Sequence, residues 1–282
     1  MSKIHQALEK AARERGSESS KVPPSPEGTS GKGETPQPII RQEGWTQVGK
    51  VTDSRLIAFF QPRSLGGEQF RKLRTHLFSL SKENPPRTIM VTSAVPDEGK
   101  TMVTANLAAG IAYDFQAYAL LVDCDFGNST LSRWFGMELR SGLSDYLMGN
   151  GDIPSLLVKT EVDKLSLLTS GNAPENPTEL MGSRRMENLV TELKSRYRDR
   201  YIIFDTTPLL ATSEAEVLGK LVDGILVVVR AGRTPRETLK QAIAPLDKRK
   251  ILGFVLNHVE FKSSALFSRY FGSDGYYYRK KK

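Results

Sequence analysis

The run Ile89-Met90-Val91-Thr92-Ser93-Ala94-Val95-Pro96-Asp97-Glu98-Gly99-Lys100-Thr101 constrains this chain more than any other segment. Its first half is a continuous apolar strand, its second half a tight loop ending in Gly-Lys-Thr, and Met102 to Ala112, rich in Ala and Leu, reads as a helix. Strand, loop and helix in that order build a phosphate cradle. Successive loop N–H groups point inward, and the start of the helix adds the positive end of its dipole. In such a loop Lys100 neutralises the β- and γ-phosphates of a nucleotide, and the Thr101 hydroxyl is a ligand for Mg2+. The nucleotide-binding stretch is expected at Val95, Pro96, Asp97, Glu98, Gly99, Lys100, Thr101 and Met102. The loop's first position holds Ala94 where the consensus has Gly, so the flanking strand and helix carry more weight than the eight-residue pattern.

Two further strands end in carboxylates: Ala119-Leu120-Leu121-Val122-Asp123-Cys124-Asp125 and Tyr201-Ile202-Ile203-Phe204-Asp205-Thr206-Thr207-Pro208. Each is a short apolar run suited to a central strand covered on both faces, with its acid at the carboxyl edge where open α/β sheets bind ligands. A strand-terminal Asp can merely cap the next helix. Three acids at two such edges beside a phosphate loop instead form the layout a phosphoryl-transfer site requires. Lys100, Asp123, Asp125 and Asp205 are therefore the candidate catalytic residues, and Thr101, Asp125 and Asp205 the candidate metal ligands.

A chain of 282 residues is long enough for one sizeable core. Ser166 to Ser170, Gly224 to Val229 and Ile251 to Leu256 supply further apolar runs alternating with helical stretches. The prediction is an α/β P-loop NTPase, a mostly parallel sheet with helices on both faces. No stretch has the length of a membrane span and no signal peptide is evident, which predicts a cytoplasmic protein. Cys124 is the single cysteine, so no internal disulfide is expected and it should pack as a small buried hydrophobe. His5, His76 and His258 have no metal-ligand spacing.

Residues 1–15 read as a short helix with Ile4, Leu8 and Ala11 on one side. Residues 16–50, shifted towards Pro, Ser, Gly and Glu, read as a disordered linker. The P-loop domain is expected over 51–262, and a tyrosine-rich basic tail over 263–282. Ser64 to Ser81 should be the domain's first long helix, burying Phe70, Leu73, Leu77 and Leu80. On it Glu68, Arg71 and Arg74 fall on an arc of roughly 120°. They are either a solvated face with one pair worth about 0.2–0.5 kcal/mol, or a subunit contact in which Arg forks meet a neighbour's carboxylates. The end, Tyr270-Phe271-Gly272-Ser273-Asp274-Gly275-Tyr276-Tyr277-Tyr278 followed by Arg279 to Lys282, is poor core material and reads as exposed; a frayed terminus is the plainer alternative. The net charge of +8 is spread, with no helix-turn-helix and no aromatic platform, so no nucleic-acid partner is expected. A basic tail at an anionic leaflet is at least as well motivated.

Taken together, the loop Ser93 to Thr101, the Asp123-x-Asp125 strand, the Asp205-Thr206-Thr207-Pro208 strand, the Glu68-x-x-Arg71-x-x-Arg74 helix and the tyrosine tail resemble the bacterial tyrosine kinases of exopolysaccharide synthesis. The likeness runs from about Leu56 to the C-terminus and includes Asn176-Pro177-Thr178-Glu179-Leu180 and Val222 to Gly232. Met1 to Lys10 is similar to the start of autokinases encoded with exosortase-linked polysaccharide loci. The resemblance implies a fold related to the septum-site and partition ATPases, with ATP and Mg2+ as cofactors. It implies Tyr270, Tyr276, Tyr277 and Tyr278 as phosphoacceptors presented to a neighbouring subunit of a ring-like homo-oligomer, with Glu68, Arg71 and Arg74 at the ring contact. It further implies a membrane chain-length regulator, or polysaccharide co-polymerase, as activator in trans, a tyrosine phosphatase, and a place at the inner face of the membrane through that partner. Where the family carries an Arg-rich, Pro-containing stretch after Asp-x-Asp, this chain has Phe126-Gly127-Asn128-Ser129-Thr130. Two other readings share the fold: a septum-positioning or partition-type regulatory ATPase, whose extra loop Lys is replaced here by Val95, and a pseudokinase that binds ATP as a scaffold.

Overall fold

The computed structural model describes residues 46–47, 51–80, 85–137, 141–197 and 199–259. The expected N-terminal helix 1–15, most of the linker 16–50 and the tail 263–282 with its four tyrosines lie outside the described residues. Within them the strands are β1 (Thr46–Gln47), β2 (Thr88–Ser93), β3 (Tyr118–Asp123), β4 (Val158–Lys159), β5 (Leu165–Leu168), β6 (Arg200–Asp205), β7 (Gly224–Arg230) and β8 (Ile251–Asn257). The helices are α1 (Ile57–Phe60), α2 (Leu65–Ser79), α3 (Lys100–Ala112), α4 (Thr130–Trp134), α5 (Leu143–Met148), α6 (Ile153–Leu156), α7 (Pro177–Met181), α8 (Arg184–Arg196), α9 (Glu214–Leu221) and α10 (Arg236–Ile243).

One sheet takes the order β1-β4-β5-β3-β6-β2-β7-β8. Every neighbouring pair is parallel except β4 with β5. Thr46 and Gln47, inside the stretch expected as linker, pair with Val158 and Lys159 at the sheet's edge. All six residues of β2 are buried, as a strand covered on both faces demands. From β2 the chain crosses over β6 to β3, and from β6 it crosses back over β2 to β7. Connections diverge on either side of the β6–β2 pair, which is where an open α/β sheet leaves a crevice at its carboxyl edge.

The apolar helix α3 is buried from Val103 to Ala112, lying between the sheet and α2. A helix apolar on every side can be stable only in such a layer. Asn106 fixes the segment before α2 to it: its Oδ1 accepts from Ala58 N at 2.7 Å, and its Nδ2 donates to the carbonyl oxygens of Arg55 and Met102, both at 2.8 Å. Helix α2 starts where Ser64 caps it, the hydroxyl accepting from Gly67 N at 3.1 Å. It ends at Ser79, so Leu80 falls past the last turn and is exposed rather than part of the buried stripe. Phe70 and Leu77 are buried as expected, while Phe78 stacks on Tyr201 with ring centroids 4.6 Å apart. Cys124 is buried and free, and burial pushes its thiol pKa well up.

Candidate active site

The phosphate loop is shaped by two residues in the left-handed region, Asp97 at φ 63° and Gly99 at φ 89°. Gly99 has a second reason to lack a side chain: a Cβ there would collide with Asn257 Nδ2. Ala94 is fully buried and is not among the positive-φ residues, so the consensus glycine is not needed at the loop's first position.

The loop is braced from both sides. The buried Glu98 carboxylate turns away from the cradle, accepting from Val95 N at 2.9 Å, from Arg230 N on β7 at 3.0 Å, and from the Thr234 hydroxyl. Asn257 Nδ2 donates to Glu98 O at 2.8 Å, and the Arg230 guanidinium to Asp97 O at 3.2 Å. On the other side, the amides of Leu209 and Leu210 donate to the carbonyl oxygens of Ser93 and Ala94 at 2.8 and 3.1 Å. What Glu98 can offer a phosphate is thus its backbone N–H, not its side chain. Helix α3 begins at Lys100, and Gly99 provides no side-chain cap, which leaves the first-turn amides for a ligand.

The strand register gathers the acids. In β3 and β6, Asp123 stands opposite Asp205, and in β2 and β6, Val91 stands opposite Asp205, so three strand tips meet at the mouth of the loop. Lys100 Nζ lies 2.7 Å from Asp125 Oδ2 and 3.4 Å from Thr101 Oγ1. Burial alone would lower the pKa of this ammonium, but Asp205, Asp125 and Asp123 together raise it, so it stays charged. Asp205 is buried and pushed up by burial, against the pull of Lys100 and the Thr101 and Thr104 hydroxyls. Asp123 is pushed well above the carboxylate range by burial and then by the charge of Asp205. Its Oδ1 accepts from Asp125 N at 3.1 Å, while its buried Oδ2 has no partner.

This donor set fits a magnesium nucleotide. Among the described residues no three His, Cys, Asp or Glu side chains group to hold a metal unaided. Mg2+ asks for less, since it keeps several waters and shares its shell between one or two carboxylates and substrate phosphates. Thr101, Asp125 and Asp205 present hard oxygens only, beside an ammonium and an unsatisfied buried carboxylate oxygen.

Of the predicted residues, Lys100, Thr101, Asp123, Asp125 and Asp205 converge, and Val95 to Met102 form the loop and first turn. Glu68, Arg71 and Arg74 lie on α2, where the two arginines turn to different partners. Arg71 pairs with Glu68 and also donates to Pro62 O at 2.9 Å. Arg74 instead folds onto the end of α3, donating to Gly110 O at 2.9 Å with Asp114 at 3.9 Å. Thr104 was not anticipated: its hydroxyl lies 3.0 Å from Asp205 Oδ1 and 2.7 Å from Lys100 O. Its spacing of four from Lys100, which sets both on one helical face, was the signal available.

No family model matches the chain. It is 33% identical over 231 residues to tyrosine-protein kinase YwqD of Bacillus subtilis, covering 81% of this chain and 96% of that one. It is 30% identical over 77% of its length to the succinoglycan biosynthesis transport protein ExoP of Rhizobium meliloti, of which this covers 28%. Among solved structures, the kinase domain of Escherichia coli tyrosine kinase ETK superposes with TM-score 0.68 at 28% identity, covering 80% of this chain and 88% of that one. The septum site-determining protein MinD of Pyrococcus horikoshii, solved with Mg-ADP, superposes with TM-score 0.50 at 21% identity, covering 65% of this chain and 76% of that one; it shares the fold alone. A phosphate loop ringed by strand-tip acids, on a P-loop ATPase fold and in a sequence that runs nearly end to end with a tyrosine-protein kinase, identifies the chain as a member of the bacterial tyrosine-protein kinases.

Proposed function

We propose that this enzyme transfers the γ-phosphoryl group of ATP to the terminal tyrosines Tyr270, Tyr276, Tyr277 and Tyr278 of a second copy, and so regulates the length or export of an exopolysaccharide. What supports the reading most is the cluster of Lys100, Asp123, Asp125 and Asp205 at the loop mouth. Phosphoryl transfer needs little covalent chemistry from a protein, so positioning and charge neutralisation carry most of the rate. Lys100 and the loop amides would hold the β- and γ-phosphates, while Thr101 directly, with Asp125 and Asp205 directly or through water, would hold Mg2+. When bound, the ion neutralises charge developing on the phosphates.

Asp123 faces the incoming phenol. A free carboxylate near pKa 4 is a feeble base towards a phenol near 10. With Oδ1 fixed by Asp125 N and Oδ2 unpartnered, its main work is orientation, and it takes the hydroxyl proton only late in the transfer.

From His258 to Tyr270 the chain spans at most about 40 Å if extended, enough to cross into an adjacent subunit. The assembly is a ring with Glu68, Arg71 and Arg74 at the contact. A membrane chain-length regulator activates it in trans at the inner face of the membrane, and a tyrosine phosphatase reverses it. Among the described residues no helix is long and apolar enough to cross a membrane.

The test is phosphotyrosine formation with Mg-ATP in the native chain, in Lys100→Met, and in a chain ending before Tyr270. Signal in the native chain alone, abolished by chelating Mg2+, is expected. Signal in either variant would overturn the proposal. ATP hydrolysis without phosphotyrosine in the native chain would favour the regulatory ATPase.

A further inference from the structure

We infer that the pocket just beyond Asp125 seats the acceptor tyrosine, and that Arg133 selects an acceptor carrying an acidic residue beside it. The inference rests on the kinase reading above and names the substrate class of its second site. The cavity, about 330 Å³, is lined by Phe126, Asn128, Ser129, Arg133, Met137 and Asn172 among others. Ligand pockets run from about 300 to 1,000 Å³, so this one suits a single side chain with its neighbour rather than a nucleotide. Phe126 and Met137 offer apolar and sulfur contacts to a ring, and Asn128, Ser129 and Asn172 offer partners to a polar tip, the two needs of a phenol.

Position links the pocket to the chemistry. Phe126 directly follows Asp125, and Asn128 N donates to Asp125 O at 3.1 Å. A Cβ on Gly127 would lie 3.9 Å from Asp125 Oδ1, so this lining residue sits beside the carboxylate that holds Lys100. Having no side chain, Gly127 leaves that approach open.

Arg133 is an exposed cation whose guanidinium is held, among the described residues, by neutral oxygens alone, Asn128 Oδ1 at 2.9 Å and Thr130 Oγ1 at 3.2 Å. Arg55, Arg71, Arg196 and Arg249 each pair with a carboxylate, while Arg185 and Arg230, which do not line this pocket, donate to backbone carbonyls. A planar fork fixed in orientation at a pocket wall, with no counter-charge among the described residues, is suited to an acid on the ligand. This chain carries one at the right spacing: Asp274 precedes Tyr276 by two residues. In an extended segment residues i and i+2 point to the same side, about 6.5 Å apart. Tyr276 of a second copy can enter the pocket while its Asp274 meets Arg133.

The test mixes two full-length copies, an enzyme in which Tyr270, Tyr276, Tyr277 and Tyr278 are Phe and an acceptor carrying Lys100→Met. Arg133→Glu in the enzyme should raise the KM for acceptor about tenfold with a smaller change in kcat. Asp274→Arg in the acceptor should restore the rate with Arg133→Glu enzyme and impair it with the parent enzyme, a reciprocity no folding defect produces. An unchanged KM, absence of rescue, or equal loss on Asp274→Asn and native acceptors would overturn the assignment. Absence of phosphotyrosine with the parent enzyme would instead overturn the kinase reading beneath it.

Discussion

Glu98 is the loop residue whose loss should be felt most in both stability and nucleotide affinity. Its Oε1 accepts from Arg230 N at 3.0 Å and from the Thr234 hydroxyl, and its Oε2 from Val95 N at 2.9 Å, tying the phosphate loop to β7 across 132 residues of sequence. Glu98→Ala leaves two backbone N–H groups without their acceptor, while the Thr234 hydroxyl can rotate to water. An unsatisfied buried donor costs about 1–3 kcal/mol. Val95 and Arg230 are half-buried, so the lower part of that range applies to each, and the expected loss is about 2–4 kcal/mol. Glu98→Gln is the informative control. Its carbonyl can keep both contacts made by Oε1, but its amide then confronts Val95 N–H, so the anchor to β7 survives and only the loop loosens. Urea denaturation should therefore rank native above Gln above Ala. Calorimetric ATP affinity should fall in both variants, because the loop amides are no longer held in place for the phosphates. A loss under 1 kcal/mol in Glu98→Ala with unchanged ATP affinity would refute the bracing role.

Asp123→Asn should separate function from stability. Because the folded pKa of Asp123 is raised, the folded chain keeps a proton that the unfolded chain has released, so stability falls as pH rises from about 4 through the raised value. The Asn variant escapes that loss: without nucleotide it should be more stable than native at pH 7, level with it near pH 4, and devoid of phosphotyrosine formation. Denaturation curves showing it less stable at pH 7 would contradict the sign. Arg74→Ala should cost about 1–2 kcal/mol of stability at any protein concentration, since its charged donor sits on the α3 carbonyl Gly110 O. Glu68→Ala, which removes a half-exposed pair, should cost about 0–1 kcal/mol. An unchanged denaturation midpoint in Arg74→Ala together with altered sedimentation would assign the arginine to a subunit contact instead.

The phosphate loop, the helix after it and the central strands were legible because each is a contiguous pattern. An apolar run of four to eight residues buries on both faces whatever lies beside it, and Gly99 before Lys100 marks a left-handed turn into a helix. The acids Asp123, Asp125 and Asp205 were legible for the same reason, as strand-terminal residues. Less of α2 could be read: its stripe placed Phe70 and Leu77 correctly but carried on to Leu80, past the point where the helix ends. Helical spacing likewise put Glu68, Arg71 and Arg74 on one arc, yet an arc does not say what a long side chain bends towards.

The sequence by itself thus determined the fold class and the chemical types gathered at the loop, since strand and helix periods and turn conformations are local properties. Only the tertiary structure decided that Glu98 faces β7 rather than phosphate, that Arg74 turns to Gly110, that Thr104 shares its hydroxyl with Asp205, and that Asp123 is left with an unpaired buried oxygen. Each of those outcomes depends on which strand lies next to which and in what register, and burial and partners settle a polar side chain's charge and direction only once that order exists.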